Sequence, residues 1–321
     1  MNDQYYVGID LGGTNLKASL INEAGEVLAS LHRPSRLPGG REALCKNLLG
    51  AVRDLISDQS PLPKGRKALA GVGVGVPGVL DWASGSLLAA PNLPEGVNLP
   101  IRGLLEEAFQ VRVSIDNDAN AVALGEFWKG AGRDVKTLVV LTLGTGVGSG
   151  IILEGRIWRG AQGRGAELGH MTISEAGPRC ACGNRGCLEA FVSSGAIVQR
   201  AQFEMAKDPS SSLRGVNPLT AEAIAEAARE GDRAALGALA KTGRYLGIGL
   251  ANVANIFNPE MIVLAGGVAR AGDALLRPAQ EEMRRRAFAA VTEDLKLRES
   301  ELGDLAGTLG AVYPLLEGGN G

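Results

Sequence analysis

Two short glycine-rich turns in matching surroundings constrain this chain more than any other feature. Asp10-Leu-Gly-Gly-Thr14 closes an apolar strand-like run, Tyr6 to Asp10; a second run, Leu16 to Ile21, follows, then a turn at Asn22 to Gly25 and Glu26-Val-Leu-Ala29. Much later Thr142-Leu-Gly-Thr-Gly146 closes Leu138 to Leu143, and Ile151 to Leu153, a turn at Glu154-Gly155 and Arg156-Ile-Trp158 come after it. Laid over one another, the two copies align apolar with apolar and glycine with glycine. An internal duplication of one β-meander unit follows, and it predicts two similar lobes with a cleft between them.

Between the copies the spacing predicts a helix near Arg41 to Asp58, a buried strand Gly71 to Val76 stopped by Pro77-Gly78, and a helix Ile101 to Phe109. Strand, helix and strand in alternation make this an α/β chain. After the second copy, helices are expected over Thr220 to Arg229 and Arg233 to about Asn255, then a strand Met261 to Ala265 before Gly266-Gly267, and a last helix Leu305 to Leu316. Pro209 to Ser212 reads as a loop. With 321 residues and 45% apolar content the chain can bury a large core, divided between two domains.

A net charge of −2 supplies no field for nucleic acid or an anionic membrane, so small polar partners are expected. No run approaches the roughly 20 apolar residues that span a bilayer, and the first residues hold neither a charged nor an apolar leader segment. These features predict a cytoplasmic protein with no membrane partner. Three of the four cysteines, Cys180, Cys182 and Cys187, fall in one short segment while Cys45 stands apart, a layout that suggests metal binding or catalysis rather than a disulfide framework.

Glycine lets backbone N–H groups approach a phosphate closely, and both turns offer such a cradle. In the first, Asp10 stands beside Gly12, Gly13 and Thr14, where a hydrated Mg²⁺ bridging phosphates would sit; in the second, Thr145 adds a hydroxyl beside Gly146. Either turn alone is compatible with a plain hairpin. Gly73-Val-Gly-Val-Pro-Gly78 matches the G-x-G-x-x-G spelling but leads into a turn rather than a helix, so it is not a dinucleotide fingerprint. No G-x-x-x-x-G-K-[ST] P-loop occurs.

Five motifs stand in order along the chain: Asp10-Leu-Gly-Gly-Thr14, Asp116-Asn-Asp-Ala-Asn120, Leu143-Gly-Thr-Gly-Val-Gly148, Glu167-Leu-Gly-His170 and Cys180-Ala-Cys-Gly-Asn-Arg-Gly-Cys-Leu-Glu189. Together they resemble the ROK family (repressors, open reading frames and sugar kinases) of the actin-like ATPase superfamily, over nearly the whole chain. The resemblance implies two ribonuclease-H-like lobes around a deep cleft, residues 1–117 with 302–321 forming the smaller and 118–301 the larger. It implies an ATP-dependent hexose kinase of glucokinase type, with Mg-ATP and a hexose as partners and a homodimer or homotetramer as the assembly. N-acetylhexosamine and fructose kinases are the rivals within the family.

By the same resemblance Asp118 is the catalytic base, and Gly78, Asn92, Asn117, Glu167, His170 and Glu189 complete the sugar pocket. Spacing alone does not choose between Asp116 and Asp118, which would share a side if the strand continued; the same five residues also read as a capped helix start, with Asn120 as a possible cap. Gly266 and Gly267 look like the adenosine-contacting turn, and Lys17 is a weaker candidate for a phosphate contact, because a lysine on an alternating strand usually faces solvent. His170, Cys180, Cys182 and Cys187 make a complete tetrahedral set for a structural Zn²⁺. Such a metal would fix Glu167 and Glu189, which flank its ligands in sequence.

The family's repressors carry a helix-turn-helix domain ahead of the first glycine turn, and only a few residues precede it here, so a transcriptional regulator is the minor expectation. A chaperone-type ATPase of the superfamily fits the cysteine segment poorly. Arg284 to Arg286 beside Glu281 and Glu282 reads as a solvated ion-pair face, Cys45 as a small core residue, and His32 has no assigned part.

Overall fold

The chain begins with the expected meander: β1 (Gln4–Leu11), β2 (Asn15–Asn22) and β3 (Val27–Pro34) pair antiparallel in sequence order. The computed structural model describes residues 4–35, 39–57, 68–90 and 98–318. Helix α1 (Gly40–Leu55) leads to β4 (Ala68–Val76), which pairs parallel with β1; the small hairpin β5 (Val79–Asp81) and β6 (Ser86–Ala89) follows, then α2 (Ile101–Phe109) and β7 (Arg112–Asn117), parallel to β4. The sheet order is β3-β2-β1-β4-β7. Helix α3 (Asp118–Trp128) starts directly at the end of β7.

The second half repeats this plan. β8 (Leu138–Leu143), β9 (Val147–Leu153) and β10 (Arg156–Trp158) form the second meander; after the helices α4 (Glu189–Val192), α5 (Ser194–Lys207), α6 (Ala221–Arg229) and α7 (Arg233–Phe257), β11 (Met261–Ala265) pairs parallel with β8. Helices α8 (Asp273–Arg286) and α9 (Ala289–Thr292) lead to β12 (Lys296–Glu299), parallel to β11, and then α10 (Ala306–Leu316) closes the described chain. The order β10-β9-β8-β11-β12 is that of the first sheet. The duplication legible in two turns therefore extends to five strands in each half.

Alternation explains how each sheet is covered. In β1, Tyr5, Val7 and Ile9 enter the core made with Leu44, Leu48 and Val52 of α1 and Leu105 of α2, whereas Tyr6 points to the opposite face and packs with Leu309, Val312 and Leu315 of α10. In the second sheet Val139 and Leu141 face α7 through Leu246 and Leu250, and Val140 faces Ala123 and Leu124 of α3. Each such fully buried aliphatic side chain contributes about 1.5–3 kcal/mol relative to exposure.

The helix that follows the fifth strand of each half, α3 and α10, lies between the two sheets, and the two cross at a reciprocal pair of glycines. A Cβ at Gly125 would overlap the Ala306 carbonyl, and one at Gly310 would overlap the Ala121 carbonyl. Ala121-Val-Ala-Leu-Gly125 and Ala306-Gly-Thr-Leu-Gly310 are thus equivalent segments, a second trace of the duplication. Close approach of the helices brings the C-terminal ends of β1, β4 and β7 opposite those of β8 and β11, where open α/β sheets bind ligands.

Where an element was expected its bounds match within a few residues, except that β9 begins at Val147 rather than Ile151 and β3 runs on to Pro34 rather than Ala29; two further places differ. Ser212 begins a 3₁₀ turn (Ser212–Gly215) rather than ending a loop, because Ser211 caps it by accepting from the Leu213 N–H. The strand also does not run through Asp118; the Asn117 side chain, accepting from Ala119 N at 3.0 Å and Asn120 N at 3.4 Å, caps α3 and turns the chain there. Asn120 is inside the helix and is not a cap. Among the described residues no helix is long and apolar enough to cross a membrane.

Candidate functional site

Two adjoining cavities open between the halves and share Asp118, Thr142 and Gly266. The larger, about 760 Å³, is lined by both glycine turns through Gly13, Thr14, Thr145 and Gly146, by Gly78 and Asn117, by Glu167, His170 and Glu189, and by Gly266 and Gly267. The smaller, about 250 Å³, takes Asp10, Gly12 and Lys17 together with Arg270, Asp304 and Gly307. Motifs far apart in sequence need not meet; here every expected sugar and nucleotide residue lies on one of these two walls except Asn92, which falls outside the described residues.

Asp116 and Asp118 have different surroundings. Asp116 is 2% exposed; its Oδ2 is held by Arg159 through Nη2 at 2.8 Å and Nε at 3.1 Å and its Oδ1 by the Asn117 N–H and Asn120 Nδ2, so both oxygens are engaged within the protein. Asp118, the first residue of α3, accepts from the Ala119 N–H at 2.8 Å through Oδ1 and faces both cavities. Burial, then the neighbouring charge of Asp10, pushes the Asp118 carboxyl up to about 7. Asp10 is itself raised to about 6 by burial, which outweighs the opposing pull of Lys17. Of Asp116 and Asp118, only Asp118 lines the two cavities.

Lys17 does not face open solvent, as an alternating strand suggested. Its Nζ lies 2.8 Å from Asp304 Oδ1, on the wall of the smaller cavity, and Arg270 approaches the same oxygen at 3.3 Å. The Gly266 turn packs against the second glycine turn, with the Val268 N–H donating to the Leu143 carbonyl at 3.1 Å. On the wall that carries Glu167, Ala166 has a left-handed backbone (φ 64) immediately before it, and the Ser149 hydroxyl bonds the Ala166 carbonyl oxygen while accepting from the Leu168 N–H at 3.1 Å. That strain, about 1–3 kcal/mol for a residue with a Cβ, fixes the direction in which Glu167 leaves the chain.

The cysteine segment folds so that one ligand atom from each of His170, Cys180, Cys182 and Cys187 lies within 4.8 Å of all the others. Cys182 Sγ and Cys187 Sγ are 3.7 Å apart, as are Cys180 Sγ and His170 Nδ1. A tetrahedral zinc with Zn–S of about 2.3 Å has edges of roughly 3.8 Å, so this donor set fits that metal. With Nδ1 toward the cysteines, His170 Nε2 is on the side of Glu167 Oε2, 3.9 Å away.

Sequence reading missed Ala166 and Arg270 in the walls, and Arg159 and Trp82 beside them. None carries a motif of its own; each acts through a partner distant in the chain. Among the other residues, Arg285 and Arg286 pair with Glu282 as the ion-pair face predicts, and Cys45 packs partly buried against the first core.

Two duplicated five-stranded α/β units with a ligand-sized cleft at their strand ends define the actin-like ATPase fold. The ROK family model matches residues 6–317, and the chain belongs to the ROK family. It is 38% identical over 320 residues to a glucokinase of Halalkalibacterium halodurans, covering 98% of this chain and 95% of that one. It is 36% identical to a xylose repressor of Caldicellulosiruptor bescii, covering 95% of this chain and 76% of the repressor. The crystal structure of a ROK family glucokinase from Streptomyces griseus in complex with glucose and AMPPNP superposes with a TM-score of 0.84 at 31% identity, over 98% of this chain and all of that one (100%).

Proposed function

We propose that this protein is an ATP-dependent hexose kinase, a glucokinase that converts glucose and ATP to glucose 6-phosphate and ADP. The observation that carries the reading is the place of Asp118, at the junction of a cavity walled by Glu167, His170 and Glu189 and one walled by Asp10 and the first glycine turn. Similarity to the Halalkalibacterium and Streptomyces glucokinases supports it.

In this reading the hexose lies against Gly78, Asn117, Glu167, His170 and Glu189. The carboxylates accept from its hydroxyls, and the Asn117 amide, whose oxygen is engaged in capping α3, donates through Nδ2. Mg-ATP lies across Gly12, Gly13, Thr14, Thr145 and Gly146, with Asp10 toward the Mg²⁺, Lys17 toward the phosphates and adenosine at Gly266-Gly267. The sugar hydroxyl oxygen forms the new bond to the γ-phosphorus, the bond to the β–γ bridging oxygen breaks, and ADP leaves. Asp118 orients the hydroxyl and accepts its proton late, as a loose transition state requires. His170, Cys180, Cys182 and Cys187 hold a structural zinc, whose contribution is to tie together the segments bearing Glu167 and Glu189.

Residues 1–117 with 302–321, and 118–301, act as the two lobes that close on substrate and exclude water. The reduced cysteine set fits a cytoplasmic protein, and a homodimer or homotetramer is the assembly proposed. The test is sugar-phosphate formation with a panel of glucose, mannose, fructose, allose, N-acetylglucosamine and N-acetylmannosamine, with ATP and inorganic polyphosphate as donors in parallel. Glucose with ATP is expected to turn over fastest; absence of turnover on every sugar removes the kinase reading.

The xylose repressor similarity favours one second reading, a sugar-responsive DNA-binding regulator. A gel shift on DNA from the gene's own upstream region, relieved by a sugar, would establish it; no shift is expected.

A further inference from the structure

The ion pair between Arg159 and Asp116 joins three stretches of chain that each form part of the cavity wall. Arg159 directly follows β10, in the second half, and both its Nη2 and Nε reach Asp116 Oδ2, at the end of β7 in the first. The other oxygen, Oδ1, accepts from the Asn117 N–H at 2.7 Å and from Asn120 Nδ2 at 2.8 Å. Trp82, beyond Gly78 on the β5–β6 hairpin, lies against the guanidinium at 4.7 Å from ring centroid to Cζ, and its Nε1–H donates to the Gly163 carbonyl at 3.0 Å.

We propose that Arg159 is a positioning residue for phosphoryl transfer, fastening the β7–α3 corner that carries Asn117 and Asp118 to the segment that carries Glu167 and His170. The inference rests on the kinase reading above and names a residue that acts on it from outside the substrate shell.

A guanidinium suits the place for two reasons: its fork directs two N–H bonds at one buried oxygen, and its flat face stacks on an indole. A lysine supplies the charge alone. Burial pushes the Asp116 carboxyl up, and Arg159 is the foremost influence drawing it back. Without that partner the buried carboxyl is pushed further toward its protonated form, and its hold on the Asn117 N–H and on Asn120 weakens. The corner that aims Asp118 then loses its anchor to the sugar side. Displacement of a reacting group by about 1 Å can cost about 100-fold in rate.

Four variants of the full chain test this: Arg159→Leu, Arg159→Lys, Asp116→Asn, and the double variant Arg159→Leu/Asp116→Asn. For each, kcat is measured with the hexose the wild type phosphorylates fastest, the dissociation constant of that hexose by calorimetry, and the thermal midpoint. Arg159→Leu is expected to lose roughly 30- to 100-fold in kcat while hexose affinity changes by less than about 3-fold, and Arg159→Lys to recover little of the rate. The double variant leaves no buried charge unpaired, so it regains the thermal midpoint but not kcat. Recovery of both together, or an Arg159→Leu rate within about 3-fold of wild type, overturns the inference and leaves the kinase reading standing. A wild type that phosphorylates no hexose removes that reading and this inference with it.

Discussion

Glu189 joins the cysteine cluster to the second glycine turn: its Oε1 accepts from Cys180 Sγ at 3.3 Å and its Oε2 from the Val147 N–H at 2.9 Å. The carboxylate that the sugar reading requires is therefore set by two segments, and one of them is organised only if the cysteines are. As a metal ligand Cys180 is a thiolate with no proton to give, which leaves Oε1 open to a hydroxyl.

Loss of the metal should consequently weaken sugar binding before anything else. The protein is expected to contain one zinc per chain by elemental analysis. Cys182→Ser, the change at the exposed cysteine, should lower zinc content and weaken hexose binding by at least 10-fold, a loss in the range that metal-site partners usually show, while ATP-analogue binding stays within about 3-fold. Equal loss of both ligands would mean that the cluster supports the whole fold rather than the sugar wall.

The carboxyls at the cavity junction give the protein a pH signature. Asp118, raised to about 7, must be ionised to accept the hydroxyl proton, so kcat/KM should fall as pH drops through about 7. Stability should run the other way. A carboxyl raised in the folded state binds more protons there than when unfolded, so the ligand-free protein gains stability as pH falls from 8 toward 5. Asp118→Asn removes part of that dependence and should stabilise the ligand-free protein at pH 8 by about 2 kcal/mol, allowing for solvent in the open cavity. Thermal midpoints across this pH range check the sign.

The reciprocal glycines predict an outcome opposite to helix propensity. In an exposed helix Gly→Ala stabilises by about 1 kcal/mol. At Gly310 and Gly125 the new methyl meets a carbonyl of the facing helix. Gly310→Ala is expected to destabilise by about 3 kcal/mol or more, since neither helix can retreat without opening a core. Denaturant unfolding measures it, and a stabilised variant would show that the helices slide freely.

Local signals made much of the fold legible. Both meanders follow from apolar runs ending at glycine turns, and α2, β8 and β11 begin and end where turn residues stop them. Most of the candidate sugar, nucleotide and metal residues stand out in the sequence because they fall in short motifs, such as Asp10 to Thr14, Glu167 to His170 and Cys180 to Glu189. The equivalence of α3 and α10 was not, because the Ala-x-x-Leu-Gly spacing is too common to read alone and acquires meaning only when the helices touch. Asp116 and Asp118 could not be told apart from spacing; what separates them is Arg159, whose pairing across the cleft leaves no trace in local sequence. Lys17 looked like a surface lysine because its partner, Asp304, is contributed by the far end of the chain.

Asp118 is proposed to act on the sugar hydroxyl rather than only to shape the pocket. Asp118→Asn keeps the size of the side chain and an oxygen for the Ala119 N–H, and removes only the ability to take the proton. Measured by ADP release and by calorimetry with the same hexose, the variant should lose about 10²- to 10⁴-fold in kcat with hexose affinity within about 3-fold of wild type. Retained turnover with weakened sugar binding would contradict the assignment and make Asp118 a ligand of the sugar only.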